Sequence, residues 1–163
     1  TPADISATAR YWRGKINFDA GAFEAAENDL LAVAALGGTR GAESQFMICS
    51  MLFNRGAYEA TEPSLFKFIE AYAHFDQWKH QAFLLLVDTY MGMKDWFQAR
   101  ATAESILEYV ETEDIRTAAT AKLSEINRLE MEELNPPTAP DSTSASTDVA
   151  PPQTEQQPCT PCP

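Results

Sequence analysis

Basic residues are scarce in this chain. It has 12 lysines and arginines against 24 aspartates and glutamates, which gives a formal net charge of -12 over 163 residues. A protein that neutralises nucleic-acid phosphates needs a concentrated basic surface, so we expect no nucleic-acid partner. The acidic balance suits solubility, and it also suits a basic partner.

Long apolar runs are absent. No stretch of 18 apolar residues occurs, so the sequence predicts no transmembrane helix and no direct membrane insertion. The chain opens at Thr1 without an initiator methionine and without a basic, apolar leader. That opening is typical of a processed product or of a piece of a longer protein.

Residues that carry chemistry are also few. The two histidines, His74 and His80, are six positions apart and do not share a helical face. No histidine, cysteine and carboxylate set has metal-ligand spacing. No G-x-S-x-G, glycine-rich phosphate loop or H-E-x-x-H motif is present. The sequence therefore predicts a protein that is not an enzyme and has no cofactor or metal, with both histidines at the surface or in turns.

There are only three cysteines. Cys49 falls in an apolar helical segment and is predicted to be a buried core thiol. Cys159 and Cys162 form a lone C-x-x-C, for which no second pair or nearby histidine completes a zinc site. Flanking prolines exclude the helix that a redox motif needs. A fortuitous pair or an oxidised loop fits better than a catalytic pair.

The sequence does contain a pattern that occurs three times in its first 110 residues. Each copy has a small residue on one helix, a tight turn, an aromatic residue, a small residue three positions later, and further apolar residues. The copies are spaced by 35 and then 38 residues, and they comprise Gly14, Gly21, Phe23, Ala26, Leu30 and Val33; Cys49, Gly56, Tyr58, Thr61, Leu65 and Phe68; and Val87, Lys94, Trp96, Ala99, Ala103 and Ile106. Such a period is typical of stacked helical hairpins, which commonly hold another molecule.

Apolar periodicity and turn residues predict an all-α fold with helices at about 4–18, 22–36, 41–54, 58–72, 77–91, 96–109 and 114–134. Pro63 conflicts with the fourth helix, because an interior proline loses a backbone hydrogen bond. We expect that helix to start late, with Pro63 in its first turn. The fifth helix is the most apolar and is expected in the middle of the stack. The seventh, with one polar side, is expected to cap it.

The composition divides the chain into a repeat domain at 1–134 and a tail at 135–163. The tail holds eight of the ten prolines and no glycine, lysine, arginine or aromatic residue. Such a segment cannot bury enough apolar area to offset its ordering entropy, so we predict that it is disordered. Its Asp141-Ser142-Thr143 triplet resembles the O-glycan acceptor of Bacteroidota.

The threefold pattern resembles the tetratricopeptide repeat family over residues 3–110, although every copy lacks the usual loop proline. Residues 78–107 are also similar to repeats in large exported proteins of Bacteroidota, sharing Trp78, Asp88, Tyr90, Phe97, Gln98 and Ala99. The resemblance implies a superhelical stack of three helical hairpins plus a C-terminal capping helix. It also implies a periplasmic or outer-membrane-associated location, with the cytoplasm as the alternative.

Members of that family bind proteins or peptides in a concave groove lined by the first helix of each hairpin. Carried over by position, the lining residues are Tyr11, Lys15, Phe18, Phe46, Ser50, Phe53, Asn54, Gln81, Leu84, Asp88 and Met91. Among them, Lys15 and Asn54 are the polar residues best placed to bind the backbone or a carboxylate of a partner. For Phe46, Phe53 and Leu84, groove lining and internal packing are equally good interpretations.

The leading functional hypothesis is a protein- or peptide-binding repeat module that acts as a scaffold or adaptor in a bacterial envelope. The alternative is a structural C-terminal end of a longer repeat solenoid, with no ligand of its own. A third reading, an enzyme domain with its site elsewhere in a parent chain, has no residue in its support.

Overall fold

The computed structural model describes residues 2–135, with side chains from residue 6 onward. Over this range the chain forms α-helices joined by short turns, with no strand. The helices are α1 Pro2–Asp19, α2 Phe23–Ala34, α3 Gly38–Asn54, α4 Tyr58–Ala71, α5 Asp76–Gly92, α6 Trp96–Tyr109 and α7 Glu113–Leu134. The all-α prediction is confirmed, and apart from the expected late start of α4 every predicted helix end lies within three residues of the observed one. The predicted tail, Cys159, Cys162 and the 141–143 triplet lie outside the described residues.

The three hairpin turns share one backbone conformation. Gly21, Gly56 and Lys94 occupy the left-handed region, with φ of 74°, 73° and 59°. In the first turn the N–H of Gly21 donates to the Phe18 carbonyl, and the N–H of Ala22 donates to the Asn17 carbonyl. The same two hydrogen bonds recur in the other two turns. They are those of a Schellman motif, which satisfies the last carbonyls of a helix. The spacing pattern therefore marks structurally equivalent turns.

Each helix packs against the next along the chain, and the longer-range contacts define two layers. The first helices of the hairpins, together with α7, contact one another in the order α1, α3, α5, α7. Over residues 2–135 the second helices α2, α4 and α6 make no contact with one another. We call these the first-helix layer and the second-helix layer.

The small and apolar positions of the pattern form the core. Ala26, Thr61 and Ala99 are completely buried, and the apolar positions that follow them are buried as well: Leu30, Val33, Leu65, Phe68, Ala103 and Ile106. Cys49 is also buried, as predicted, and its Sγ lies 3.2 Å from the Ser64 Oγ. Burial raises the pKa of the Cys49 thiol. These side chains hold the two layers together.

The ring position of each copy sits at a junction and is half-buried. Phe23 packs against Phe18 of its own hairpin. Tyr58 lies against Gly92 at the end of α5, and Trp96 donates through Nε1 to Glu133 Oε2 of α7 at 2.7 Å. Tyr58 therefore joins the second hairpin to the third, and Trp96 joins the third hairpin to α7.

The expected late start of α4 is wrong. The helix begins at Tyr58 and contains Pro63 in its interior. Thr61 is inaccessible to solvent and donates through Oγ1 to the Ala57 carbonyl at 2.9 Å. This buried residue holds the first turn of the helix in place. Pro63 itself lies on the exposed side of the helix. Tertiary packing therefore overrides the local cost of the proline.

The positions of α5 and α7 agree with expectation. α5 contacts α3, α4, α6 and α7, and its buried residues are Ala82, Leu84, Leu86, Val87, Thr89 and Tyr90. α7 contacts α5 and α6 and carries charged residues on its outer surface. There Arg128 pairs with Glu125 and Glu132, so one side of the last helix is solvated.

Candidate binding surfaces

The predicted lining residues lie on the first-helix layer, but their accessibility varies. Asn54 and Gln81 are exposed, whereas Tyr11 and Leu84 are buried. The remaining predicted residues are half-buried, namely Lys15, Phe18, Phe46, Ser50, Phe53, Asp88 and Met91. Only part of the predicted surface is therefore open to a partner as it stands.

The polar groups at the α1 end of this layer are already paired. The Tyr11 hydroxyl donates to Glu43 Oε2 at 2.7 Å, and Lys15 Nζ lies 3.9 Å from Glu43 Oε1 and 3.5 Å from Asp19 Oδ2. Burial, followed by the Glu43 hydrogen bond, raises the pKa of Tyr11 to about 12. These contacts tie α1 to α3. The charge of Lys15 is therefore balanced within the protein.

At the other end of the layer, Asp88 of α5 forms an ion pair with Lys122 of α7. Asp88 therefore connects two first helices, in the same way that Glu43 does at the α1 end. A partner that used either carboxylate would have to displace a bond within the protein.

The two phenylalanines of α3 have packing roles. The Phe46 ring lies 5.9 Å from the Phe68 ring and 5.6 Å from the Trp78 ring, and the Phe53 ring lies 5.4 Å from the Tyr58 ring. α7 does not pack on α3, since their backbones do not come close to each other. Both rings join α3 to its neighbours while keeping part of their surface exposed.

An apolar concavity lies on the opposite layer and was missed from the sequence. α4 and α6 do not touch, and between them they leave a cavity of about 340 Å³ whose floor is α5. We call it the α4–α6 groove. It is lined by Phe66, Phe83, Leu86, Tyr90, Gln98, Ala101, Thr102, Ser105, Ile106, Tyr109 and Val110.

Aromatic residues stand at the edges of the α4–α6 groove. Phe66 is 48% exposed, and Tyr109 is exposed as well. On the floor, Tyr90 donates through its hydroxyl to Glu62 Oε1 at 2.9 Å, which keeps the ring in place. Burial, followed by this hydrogen bond, raises the pKa of Tyr90 to about 12. A sequence signal existed, since Leu65 and Phe66 are adjacent and only one of them can face the core of an α-helix.

A second concavity of about 350 Å³ lies between the N-terminal ends of α5 and α7 and is more polar. It is lined by Asp76, Gln77, His80, Gln81, Thr112, Asp114 and Ile115. Lys79 lies 2.6 Å from Asp76, and the pKa of that carboxyl is lowered by this partner. His80 is half-buried here, whereas His74 is exposed in the turn after α4. Within the part of the chain that the structure describes, no group of three or more histidine, cysteine or carboxylate side chains is placed to hold a metal ion.

Among the helices at 2–135, none combines the length and the apolar character needed to cross a membrane. Comparison of the chain with family models, with characterised proteins and with solved structures finds no match.

Proposed function

We propose that the chain is a tetratricopeptide-type helical-repeat module that binds a segment of another protein, as a scaffold or adaptor. Two observations support the repeat part of the proposal. The three hairpin turns have the same hydrogen bonds, and the first helices contact one another in order while the second helices do not. The bacterial-envelope location is part of the proposal through the resemblance of residues 78–107 alone. We propose no catalytic step and no cofactor.

The observation that carries the binding proposal is the α4–α6 groove. Binding sites are usually concave and mainly apolar, with a few polar groups that fix orientation. In this groove Phe66, Phe83 and Leu86 supply apolar surface, and Gln98, Thr102 and Ser105 supply neutral hydrogen-bonding groups. Exposed aromatic rings beside a concavity are typical of interaction sites.

The chemistry of the groove indicates the kind of segment that fits. A cavity of about 340 Å³ accepts a few apolar side chains, and burying them contributes about 25 cal/mol for each Å² of apolar surface removed from water. The chain carries a net charge of -12, which favours encounter with a segment that has basic residues beside its apolar anchors.

The first-helix layer is the second candidate surface for the same function. Its accessible predicted residues are Asn54 and Gln81. A partner on this layer would gain those two amides, but the Tyr11–Glu43 and Asp88–Lys122 contacts occupy much of the remaining polar surface.

The test uses the full chain and peptides selected against it from a random display library. Because Phe66 and Tyr109 stand at the groove edge, we expect Phe66→Ser and Tyr109→Ser each to weaken peptide binding at least about tenfold, which corresponds to about 1.4 kcal/mol. Phe97→Ser is the matched control, since Phe97 is 76% exposed but does not line the groove. Binding is measured by isothermal titration calorimetry.

An Asn54→Ala/Gln81→Ala variant reports on the first-helix layer in the same assay. Loss of binding in that variant with retention in Phe66→Ser would move the site to the first-helix layer. Equal losses for Phe97→Ser and Phe66→Ser would indicate non-specific adhesion to exposed rings. Selection that yields no saturable peptide would contradict the function itself.

A further inference from the structure

One face of α1 carries two large apolar side chains, Trp12 and Ile16, that nothing in the described structure covers. The residues Ser6, Ala9, Trp12 and Ile16 follow one another at helical spacing and so share a side of the helix. All four are exposed, and Trp12 and Ile16 retain 51% and 65% of their accessible surface. We call this set the α1 stripe. Large apolar side chains clustered on a surface are typical of an interface.

The 35-residue repeat gives each member of the α1 stripe a counterpart on α3. The counterparts are Gly41, Ser44, Met47 and Met51, and all four are buried. Met47 and Met51 keep only 4% and 1% of their surface. Equivalent positions of the same repeat are therefore exposed on the first helix and inaccessible on the third.

The element that covers these positions on α3 is α2. Met47 and Met51 share a core cluster with Ala26, Leu30 and Val33 of α2 and with Tyr11 of α1, so α2 supplies most of their neighbours. A methyl group added to Gly41 would lie 3.3 Å from the Ala34 carbonyl oxygen, so the two helices approach closely at this end. On α3, the residues that correspond to the α1 stripe therefore contact α2, which is the second helix of the preceding hairpin.

The third hairpin repeats the arrangement in part. With the 38-residue spacing, the counterparts of Ser44 and Met51 are Ala82 and Thr89 of α5, which are completely buried, whereas the counterparts of Gly41 and Met47 are Lys79 and Leu85, which are half-buried. α4 packs on α5 as α2 packs on α3. In both hairpins that follow another hairpin in the structure, the counterparts of the α1 stripe are therefore buried or half-buried, and none of them is exposed.

We infer that the α1 stripe is a docking surface for an α-helix of the α2 type, which is the second helix of a further hairpin stacked on α1 as α2 is stacked on α3. The complementary helix carries small and aliphatic residues at the spacing of Ala26, Leu30 and Val33. Continuity with the α2–α3 interface identifies this occupant. The solvated surface of α7, where Arg128 pairs with Glu125 and Glu132, is a poor complement for Trp12 and Ile16. The inference is independent of the α4–α6 groove.

The experiment extends the full chain by one hairpin in register. A copy of residues 3–37 is fused directly before residue 3, which preserves the 35-residue period and the natural linker. In the added copy Trp12 is replaced by methionine, the residue that α3 has at this position. Fluorine NMR of 5-fluorotryptophan protein then reports on the original Trp12, Trp78 and Trp96, with the Trp12 signal assigned by Trp12→Phe.

We expect the Trp12 resonance to lose its solvent isotope shift in the fusion, while the Trp78 and Trp96 resonances keep theirs. Urea unfolding should remain a single transition with a higher midpoint, because stacked repeats stabilise one another. The control fusion carries Trp12→Glu and Ile16→Glu in the original α1, where both effects should disappear. Circular dichroism of the same double variant without the fusion checks that it folds.

The inference is overturned if Trp12 keeps its isotope shift in the fusion or if the added hairpin unfolds in a separate transition. It is also overturned if the unfused chain sediments as a dimer that Trp12→Glu dissociates, because a second copy would then occupy the α1 stripe. Peptide binding at the α4–α6 groove, measured on the double variant, should be unchanged. Failure here is therefore distinguishable from failure of the proposed function.

Discussion

The ring of Tyr58 lies against Gly92 so closely that a methyl group on residue 92 would stand 2.6 Å from the ring carbon Cζ. This contact joins the second hairpin to the third. Gly92 does not occupy the left-handed region that glycine favours. The absence of a side chain at residue 92 is therefore required by the neighbouring ring.

Changing Gly92 to alanine should lower the free energy of unfolding by about 1–3 kcal/mol, because the ring must move and overpacking strains its neighbours. Helix propensity acts in the opposite direction by about 0.5–1 kcal/mol, so the sign of the effect is diagnostic. Urea unfolding measures it. In a Tyr58→Ala background the same change should be neutral or stabilising. Equal destabilisation in both backgrounds would mean that the ring is not the cause.

Lys94→Gly should stabilise the protein by about 1 kcal/mol. Lys94 has φ of 59° at the turn position where the other two hairpins have glycine, and a left-handed conformation is unfavourable for a residue with a Cβ. The variant also loses the exposed ion pair with Glu133, and such pairs contribute little. The matched variants Gly21→Ala and Gly56→Ala should each be destabilising in the same urea assay. A stabilising effect of either alanine would contradict the equivalence of the three turns.

Asp29 should make stability depend on pH in the acidic range. Arg13 donates through Nε and Nη2 to the two oxygens of the buried Asp29 carboxylate, and this partner lowers the pKa of Asp29. A lowered folded-state pKa means that the contribution is complete above the ordinary aspartate pKa and is lost as the pH falls through the lowered value.

We therefore expect Asp29→Asn to lower the free energy of unfolding by about 1–2 kcal/mol at neutral pH. The difference from the wild type should shrink below about pH 4. Urea unfolding over a pH series measures both. Glu125→Gln removes an exposed partner of Arg128 and is the control, since surface pairs contribute little. A pH-independent difference for Asp29→Asn would exclude the ionised pair as the source.

Two tyrosines should ionise unusually late. Burial, followed by a hydrogen bond to a glutamate, raises the pKa of both Tyr11 and Tyr90 to about 12. Because the folded-state value is raised, their contribution to stability is complete below about pH 10 and is lost as the pH rises towards 12. Phenolate absorbance in the native protein should show a late step that Tyr90→Phe reduces and the double variant with Tyr11→Phe removes. In urea, where the protein is unfolded, Tyr11 and Tyr90 should ionise together with the other tyrosines. If the absorbance step at high pH persisted in urea, the fold would be excluded as its cause.

The predictions that succeeded depend on local features. α6 was predicted with its observed ends, and the turns at Gly21 and Gly56 were located, because helical periodicity and a left-handed turn are properties of a few consecutive residues. The predicted start of α4 was wrong because it rested on local features alone. Local rules assign a cost to Pro63, whereas the burial of Thr61, which favours the earlier start, depends on neighbouring helices.

The candidate site was less predictable than the fold. Lys15, Asn54 and Gln81 lie on the first-helix layer and are at least partly accessible, and their role in binding stays a prediction. Position in the repeat did not indicate that the Tyr11 hydroxyl binds Glu43, because that partner is 32 residues away. The α4–α6 groove is lined by residues of three helices, and its volume depends on the distance that α4 and α6 keep from each other.

Apart from the start of α4, the amino-acid sequence by itself determined where the helices begin and where the chain turns, and which repeat positions are small enough to be buried. These properties follow from backbone geometry and from side-chain size at a fixed period. Only the tertiary structure decided which exposed positions remain uncovered, because accessibility depends on whether a neighbouring helix lies above them. Trp12 and Met47 occupy the same place in the repeat, and a single packed helix makes one a surface residue and the other part of the core.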